Sequence, residues 1–200
     1  GCQVPYGTAL TAGQGMLEAA NLDGPDLRES LGAEGRLRAV PPLVAAKLWD
    51  NPCWLSARLN MLALAFNTPV YGVIEAAAKL SRPEFVVLYS LFIKDGVAAK
   101  DVALSSFFPK NTISRAVHGL VARKLIRRDE DAEDRRSFAL WLTARGRATV
   151  ARFLPAMVER ERAMLSRLTR AERLMLSDLL AKIIVEADAW RPSHTEEDEA

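Results

Sequence analysis

The sequence predicts a mainly α-helical protein with a small β-wing. Three observations carry that expectation. Apolar residues recur at three- and four-residue spacing from about Leu43 onward, as in Leu55, Leu59, Leu62 and Phe66. The period changes to strict alternation only around residues 125–143, where Leu125-Ile-Arg-Arg-Asp129 and Ser137-Phe-Ala-Leu-Trp-Leu-Thr143 flank a charged turn. Two Ser/Thr-x-x-Glu signals, Ser81-Arg-Pro-Glu84 and Thr169-Arg-Ala-Glu172, mark helix starts by reciprocal capping.

Taken in order, residues 1–43 are rich in Gly and Pro and read as a partly irregular arm with one short helix near Leu27–Leu31. Residues 44–80 read as helical, with Pro69 expected to kink or split the segment. The Ser81 box opens a helix through Phe85, Leu88, Tyr89 and Phe92 that closes at Asp95-Gly96. A short helix over about Ala99–Ser106 follows, then one from Pro109 to about Lys124 with Ile113, Val117, Leu120 and Val121 on one face. After the hairpin, Thr143-Ala-Arg-Gly restarts helix to about Leu168, and the Thr169 box introduces the last helix, to about Trp190. The resulting layout is an arm (1–43), helical segments (44–80 and 147–190) on either side of a unit of helices and hairpin (81–146), and an acidic tail (191–200) expected to be disordered.

The 200 residues, 50% of them hydrophobic, suffice for one substantial core. No uninterrupted apolar run reaches the eighteen or so residues of a membrane span, and residues 1–15 lack a basic start followed by an apolar segment, so neither a membrane partner nor a signal peptide is expected. Two cysteines, Cys2 and Cys53, exclude a disulfide framework and favour a cytoplasmic home. The formal net charge of +2 hides an asymmetry: Lys100–Arg152 holds twelve Lys/Arg against six Asp/Glu. Such a basic segment suits a polyanion partner, although a solvated face gives the same count.

Enzymatic chemistry finds no support. The two histidines, His118 and His194, have no Cys/His spacing around them for a metal, and there is no phosphate-cradling Gly-rich loop or Gly-x-Ser-x-Gly elbow. No cofactor or metal is implied. Two short helices joined tightly, the second with an exposed polar stripe, form instead a helix-turn-helix, and the following hairpin makes it winged. On the second helix Asn111, Arg115 and His118 lie opposite the apolar face with Ser114 beside them, all side chains able to bond base edges or phosphates. Lys110, Asn111 and Thr112 occupy its first turn, where free N–H groups and the dipole favour phosphate. A plain solvated face would look similar. The hairpin favours DNA, because Arg135 and Arg136 near its tip suit the negative potential of a narrow minor groove.

The stretches Leu80-Ser-Arg-Pro-Glu-Phe-Val-Val-Leu88, Asn111-Thr-Ile-Ser-Arg115, Leu120-Val-Ala-Arg-Lys-Leu-Ile-Arg-Arg128 and Asp134-Arg-Arg-Ser-Phe-Ala-Leu-Trp-Leu-Thr-Ala-Arg-Gly146 resemble the MarR family in order and spacing. The Leu-Thr-x-x-Gly run behind the Asp-x-Arg is the most specific part, and the resemblance covers about residues 50–188. It implies a homodimer whose first and last helices interlock, each subunit offering one winged unit to a palindromic double-stranded operator, commonly as a repressor released by a phenolic or other aromatic effector. It also implies that Asp134 holds the base of the wing, that Arg136 enters the minor groove, and that Ser114 and Arg115 lie on the recognition helix.

Three departures stand out. Gly119 sits inside the recognition helix, where Gly costs about 1 kcal/mol relative to Ala. Leu125 replaces the Gly that ends this helix in many members. Trp141 falls on the outward face if Phe138, Leu140 and Leu142 point inward, either packing on the N-terminal arm or simply exposed at the surface. Trp54 and Arg58, one helical turn apart, are the candidate effector pair, an aromatic wall and a cation, with dimer core and surface as their plainer roles. Cys53, after Asn51-Pro52, resembles the sensing cysteine of a peroxide-responsive branch, with a structural thiol as the plainer role. A winged-helix protein-interaction module without DNA binding is the other functional alternative.

Overall fold

The computed structural model of the chain describes residues 40–130 and 138–185. The short helix expected near Leu27–Leu31, the tip of the hairpin and the acidic tail lie outside these residues. The chain divides into two compact units, Gly1–Pro69 and Val70–Ala200.

In the first unit, α1 (Pro42–Trp49) begins with Pro at its first helical position, where a missing N–H is no loss. Helix α2 (Trp54–Ala78) then runs through Pro69. The segment is not split there: a proline removes one intrahelical bond, and the turns on either side keep theirs. Leu59, Leu62 and Leu64 stay exposed along it. By length and composition α2 is the one helix among the described residues long and apolar enough to cross a membrane. It is not an uninterrupted apolar run, because Arg58 and Glu75 punctuate the sequence.

The second unit carries the core. After α2 ends at Lys79, whose φ is +53°, Ser81 caps α3 (Arg82–Ile93). Its hydroxyl accepts from the Glu84 N–H while Glu84 Oε2 accepts from the Ser81 N–H at 2.7 Å. The predicted box is therefore built in full. Ser81→Ala is expected to lower stability by about 1 kcal/mol, seen as a lower urea midpoint at unchanged slope. Helix α3 buries Phe85, Val87, Leu88 and Leu91 almost completely. The Phe85 ring meets Tyr71 and Phe153 edge-on at 6.2 and 6.0 Å.

A two-residue strand, β1 (Val97–Ala98), then leads into α4 (Ala99–Ser106), and a turn of Phe107, Phe108 and Pro109 into α5 (Lys110–Ala122). Phe107 closes α4 in the left-handed region, at φ 57°. Strands β2 (Ile126–Glu130) and β3 (Phe138–Leu142) pair antiparallel in the register Ile126↔Leu142, Arg128↔Leu140, Glu130↔Phe138. Because β1 pairs with the other side of β3, the sheet order is β1-β3-β2. The alternation in residues 125–143 revealed β2 and β3; β1 is too short to show a period.

The Leu142-Thr143-x-x-Gly146 motif has a physical reading. Thr143 caps α6 (Ala144–Met164), its Oγ1 accepting from the Gly146 N–H at 3.0 Å. The same hydroxyl lies 2.9 and 3.0 Å from the carbonyls of Lys124 and Leu125, and the Thr143 N–H donates to Leu125 O at 3.1 Å. One threonine thus ties the entry of β2 to the start of α6, and a side chain at Gly146 would fill the gap between them. The first half of α6 belongs to this core, with Val150, Phe153 and Met157 buried, so this part of the segment expected for dimerisation packs on its own winged unit.

Helix α7 (Arg170–Val185) is different. The Thr169–Glu172 box opens it, and those two hydrogen bonds from Thr169 hold the Glu172 carboxyl below its ordinary range. No residue of α7 is buried, and Leu174, Met175, Leu179, Ile184 and Val185 are all more than half exposed.

Candidate nucleic-acid interface

Helix α5 separates its residue types cleanly. Ile113, Ala116, Val117 and Leu120 are buried, whereas Lys110, Asn111, Ser114, Arg115 and His118 are exposed and Thr112 is half-buried. Five of the six predicted residues therefore lie on the outward side of one helix, with Thr112 at its half-buried edge. The N-cap, Pro109, offers no side-chain bond to the first turn. Thr112 Oγ1 donates to Asn111 Oδ1 at 3.3 Å, and Arg115 Nε reaches back to the Asn111 carbonyl at 3.4 Å. Neither bond buries its side chain.

Two cations join this face that the sequence did not single out. Lys100, in the first turn of α4, and Arg128, on β2, line a shallow cavity of about 250 Å³ together with Ser114, His118 and Phe138. The Arg128 guanidinium lies 6.0 Å from the Phe138 ring, and its buried Nε has no hydrogen-bond partner among the described residues. Strand parity held the clue. With Ile126 turned inward, Arg128 two residues later shares its face and looks along the sheet toward α5. Asp134, Arg135 and Arg136 lie outside the described residues.

A sequence profile describing the MarR family matches residues 78–137. Among curated proteins, the chain is 27% identical over 105 residues to the transcriptional regulator HosA of Escherichia coli O127:H6, covering 52% of this chain and 78% of that protein. It is 29% identical over 140 residues to the HTH-type transcriptional regulator TtmR of Methylorubrum extorquens, 67% and 69% of the two chains. A MarR-family regulator from Silicibacter pomeroyi superposes with a TM-score of 0.64 at 27% identity, over 77% of this chain and 99% of that one. The chain carries a MarR-family winged helix. The family is one of transcription regulators and not of enzymes. A further MarR-family structure from Listeria monocytogenes, complexed with 26mer DNA, shares the fold with a TM-score of 0.61 at 21% identity, over 66% and 89% of the two chains.

Against the MarR pattern, each departure now has a local explanation. A β-carbon on Gly119 would stand 3.1 Å from Glu84 Oε1, so the glycine admits a carboxylate beside the helix. The turn out of α5 is made by Lys124 in the left-handed region at φ 57°, leaving Leu125 free to be buried as the first residue of the strand approach. Trp141 has partners inside its own unit: its ring closes on Gly96, where a β-carbon would meet it at 3.0 Å, and the Arg127 guanidinium lies over it at 5.4 Å. Arg127 also pairs with Asp129. Phe138, expected to point inward, is 48% exposed as the first residue of β3, whereas Leu140 and Leu142 are buried.

Asp95 also escaped the sequence reading. Its carboxylate accepts from the Leu142 N–H at 2.8 Å and from Arg147 at 2.5 Å, linking the turn before β1 to β3 and α6. In the first unit, Arg58 lies 4.9 Å over the Trp54 ring and donates to the Leu48 carbonyl at 2.7 Å, so the pair closes α1 against α2. Cys53 is exposed just before α2, its N–H donating to Asn51 Oδ1 at 2.9 Å.

Proposed function

We propose that this regulator is a cytoplasmic homodimer that represses transcription by binding a palindromic operator, with α5 in the major groove and the β2–β3 wing at the minor groove. The observation that carries the reading is the division of α5 into a buried apolar side and an exposed side bearing Asn111, Ser114, Arg115 and His118. The apolar, uncovered surfaces of α2 and α7 support the dimer, since a second copy is the simplest cover for both. Two-fold symmetry then calls for two inverted half-sites. Release by a small aromatic or phenolic effector belongs to the same proposal. Trp54 and Arg58 supply a ring and a cation for it, and effector binding there has to displace the Arg58 bond to Leu48.

The test begins with random duplexes selected by the purified chain, followed by titration of variants on the recovered operator and on a scrambled duplex at several salt concentrations. Arg115→Ala is expected to cost about 1–3 kcal/mol on the operator and to relax one position of each half-site. Arg136→Ala is expected to weaken both duplexes evenly and to lower the salt slope by about one ion per subunit. Failure of the wild-type chain to enrich any duplex would favour the protein-interaction module instead. Operator preference that survives Arg115→Ala and disappears in Arg136→Ala would reverse the two roles.

A further inference from the structure

The carbonyl end of α2 is met by a guanidinium from the far end of the recognition helix. Arg123, the C-cap of α5, donates from Nη2 to the Ala78 carbonyl at 2.7 Å and from Nη1 to the Lys79 carbonyl at 2.8 Å. Its Nη1 also lies 3.7 Å from Glu84 Oε1. The other oxygen of that carboxylate closes the capping box of α3. Oε1 is in turn the atom that a β-carbon on Gly119 would crowd. One carboxylate and one guanidinium thus join three helix ends: the last turns of α2 and α5 and the first turn of α3. The chemistry suits each place. Carbonyls at a helix C-terminus carry the negative end of the dipole and attract a cation, and donors bearing charge bond more strongly than neutral ones.

We infer that Arg123 is a positioning residue for DNA reading: it sets the pitch of α5 against the end of α2 and makes no phosphate contact of its own. The inference rests on the DNA-binding reading above. Arg123 belongs by sequence to the basic stretch, and its charge counts toward the footprint of a polyanion site. Its two terminal nitrogens, however, are directed at carbonyls of its own chain. Arg115, two turns earlier on the same helix, is exposed and bonds only its own helix backbone among the contacts described. Base reading depends on holding such a side chain within a fraction of an ångström. A clamp at the other end of a 13-residue helix is well placed to supply that. Gly119 completes the device, because any larger residue pushes on the carboxylate that steadies Arg123.

The experiment uses the full chain and its Arg123→Ala, Arg123→Lys and Gly119→Ala variants. The active fraction of each is first fixed by stoichiometric titration. Affinities are then measured for the duplex selected by the wild type and for a scrambled duplex of equal length, across several salt concentrations. Arg123→Ala is expected to lower the ratio of selected to scrambled affinity about tenfold while keeping the wild-type salt slope. Arg123→Lys is expected to keep part of the ratio through one remaining bond, and Gly119→Ala to lose part of it. A salt slope reduced by about one ion per subunit with the ratio intact would make Arg123 a phosphate contact and overturn the inference. Wild-type ratio and slope with only a smaller active fraction would make it a folding residue, with the same consequence. A wild-type chain that prefers no duplex fails the DNA-binding reading itself, before any variant is compared, and the inference falls with it.

Discussion

Gly146→Ala is expected to cost the winged unit about 3 kcal/mol of stability, the upper part of the range for overpacking in a core. A β-carbon at this position would stand 2.0 Å from the Leu125 carbonyl oxygen and 3.0 Å from a Leu142 methyl group. The first figure decides the matter. A side chain can rotate aside, but this oxygen is backbone and is held in place by the Thr143 N–H and hydroxyl. Moving it away breaks the bonds that tie β2 to α6; leaving it requires α6 to shift as a body. Urea unfolding of the wild type and the variant checks the prediction. A change below about 1 kcal/mol would mean that the entry to α6 adapts more easily than this geometry allows.

The largest effect on assembly is expected from charges placed on α7. Leu179 and Ile183 lie one turn apart on the same side, 51% and 40% exposed among the described residues. Burying a Leu or Ile side chain contributes about 1.5–3 kcal/mol. The double change Leu179→Asp, Ile183→Asp removes two such side chains per subunit and adds a buried charge at each. The dissociation constant of the proposed dimer is expected to rise at least about a thousandfold, which sedimentation across a concentration series will read. Operator affinity should fall with it, because a monomer grips one half-site at a time. A variant that sediments as a monomer and still binds the operator like the wild type would show that the two half-sites are not linked through α7.

Much of this architecture was legible because its signals are local. The Ser81 and Thr169 boxes each need only four consecutive residues, and both are built as their residue types require. The stripe on α5 needs only the 3.6-residue period. The contacts that escaped detection join residues far apart in the chain. Trp141 packs on Gly96, 45 positions earlier. Arg123 bonds Ala78, and Asp95 bonds the Leu142 N–H; neither arginine nor aspartate shows in its immediate surroundings which distant backbone it will meet. Strand β1 is defined by its partner alone, since two residues have no period. At Pro69 the helix is not split, because a local preference yields where the helix on both sides is long.

The packing of Trp141 also gives the protein an internal optical reporter. Of the four tryptophans, Trp49 and Trp54 belong to the first unit and Trp190 lies beyond α7. Trp141 is the one indole between residues 70 and 185, set in the central strand of the sheet with a glycine beneath it and a guanidinium above. A nearby cation shifts indole emission, so any event that draws Arg127 toward a phosphate or away from the ring changes the light that this strand gives out. With Trp49, Trp54 and Trp190 replaced by Phe, movement of Arg127 relative to the ring becomes a fluorescence signal that needs no added dye.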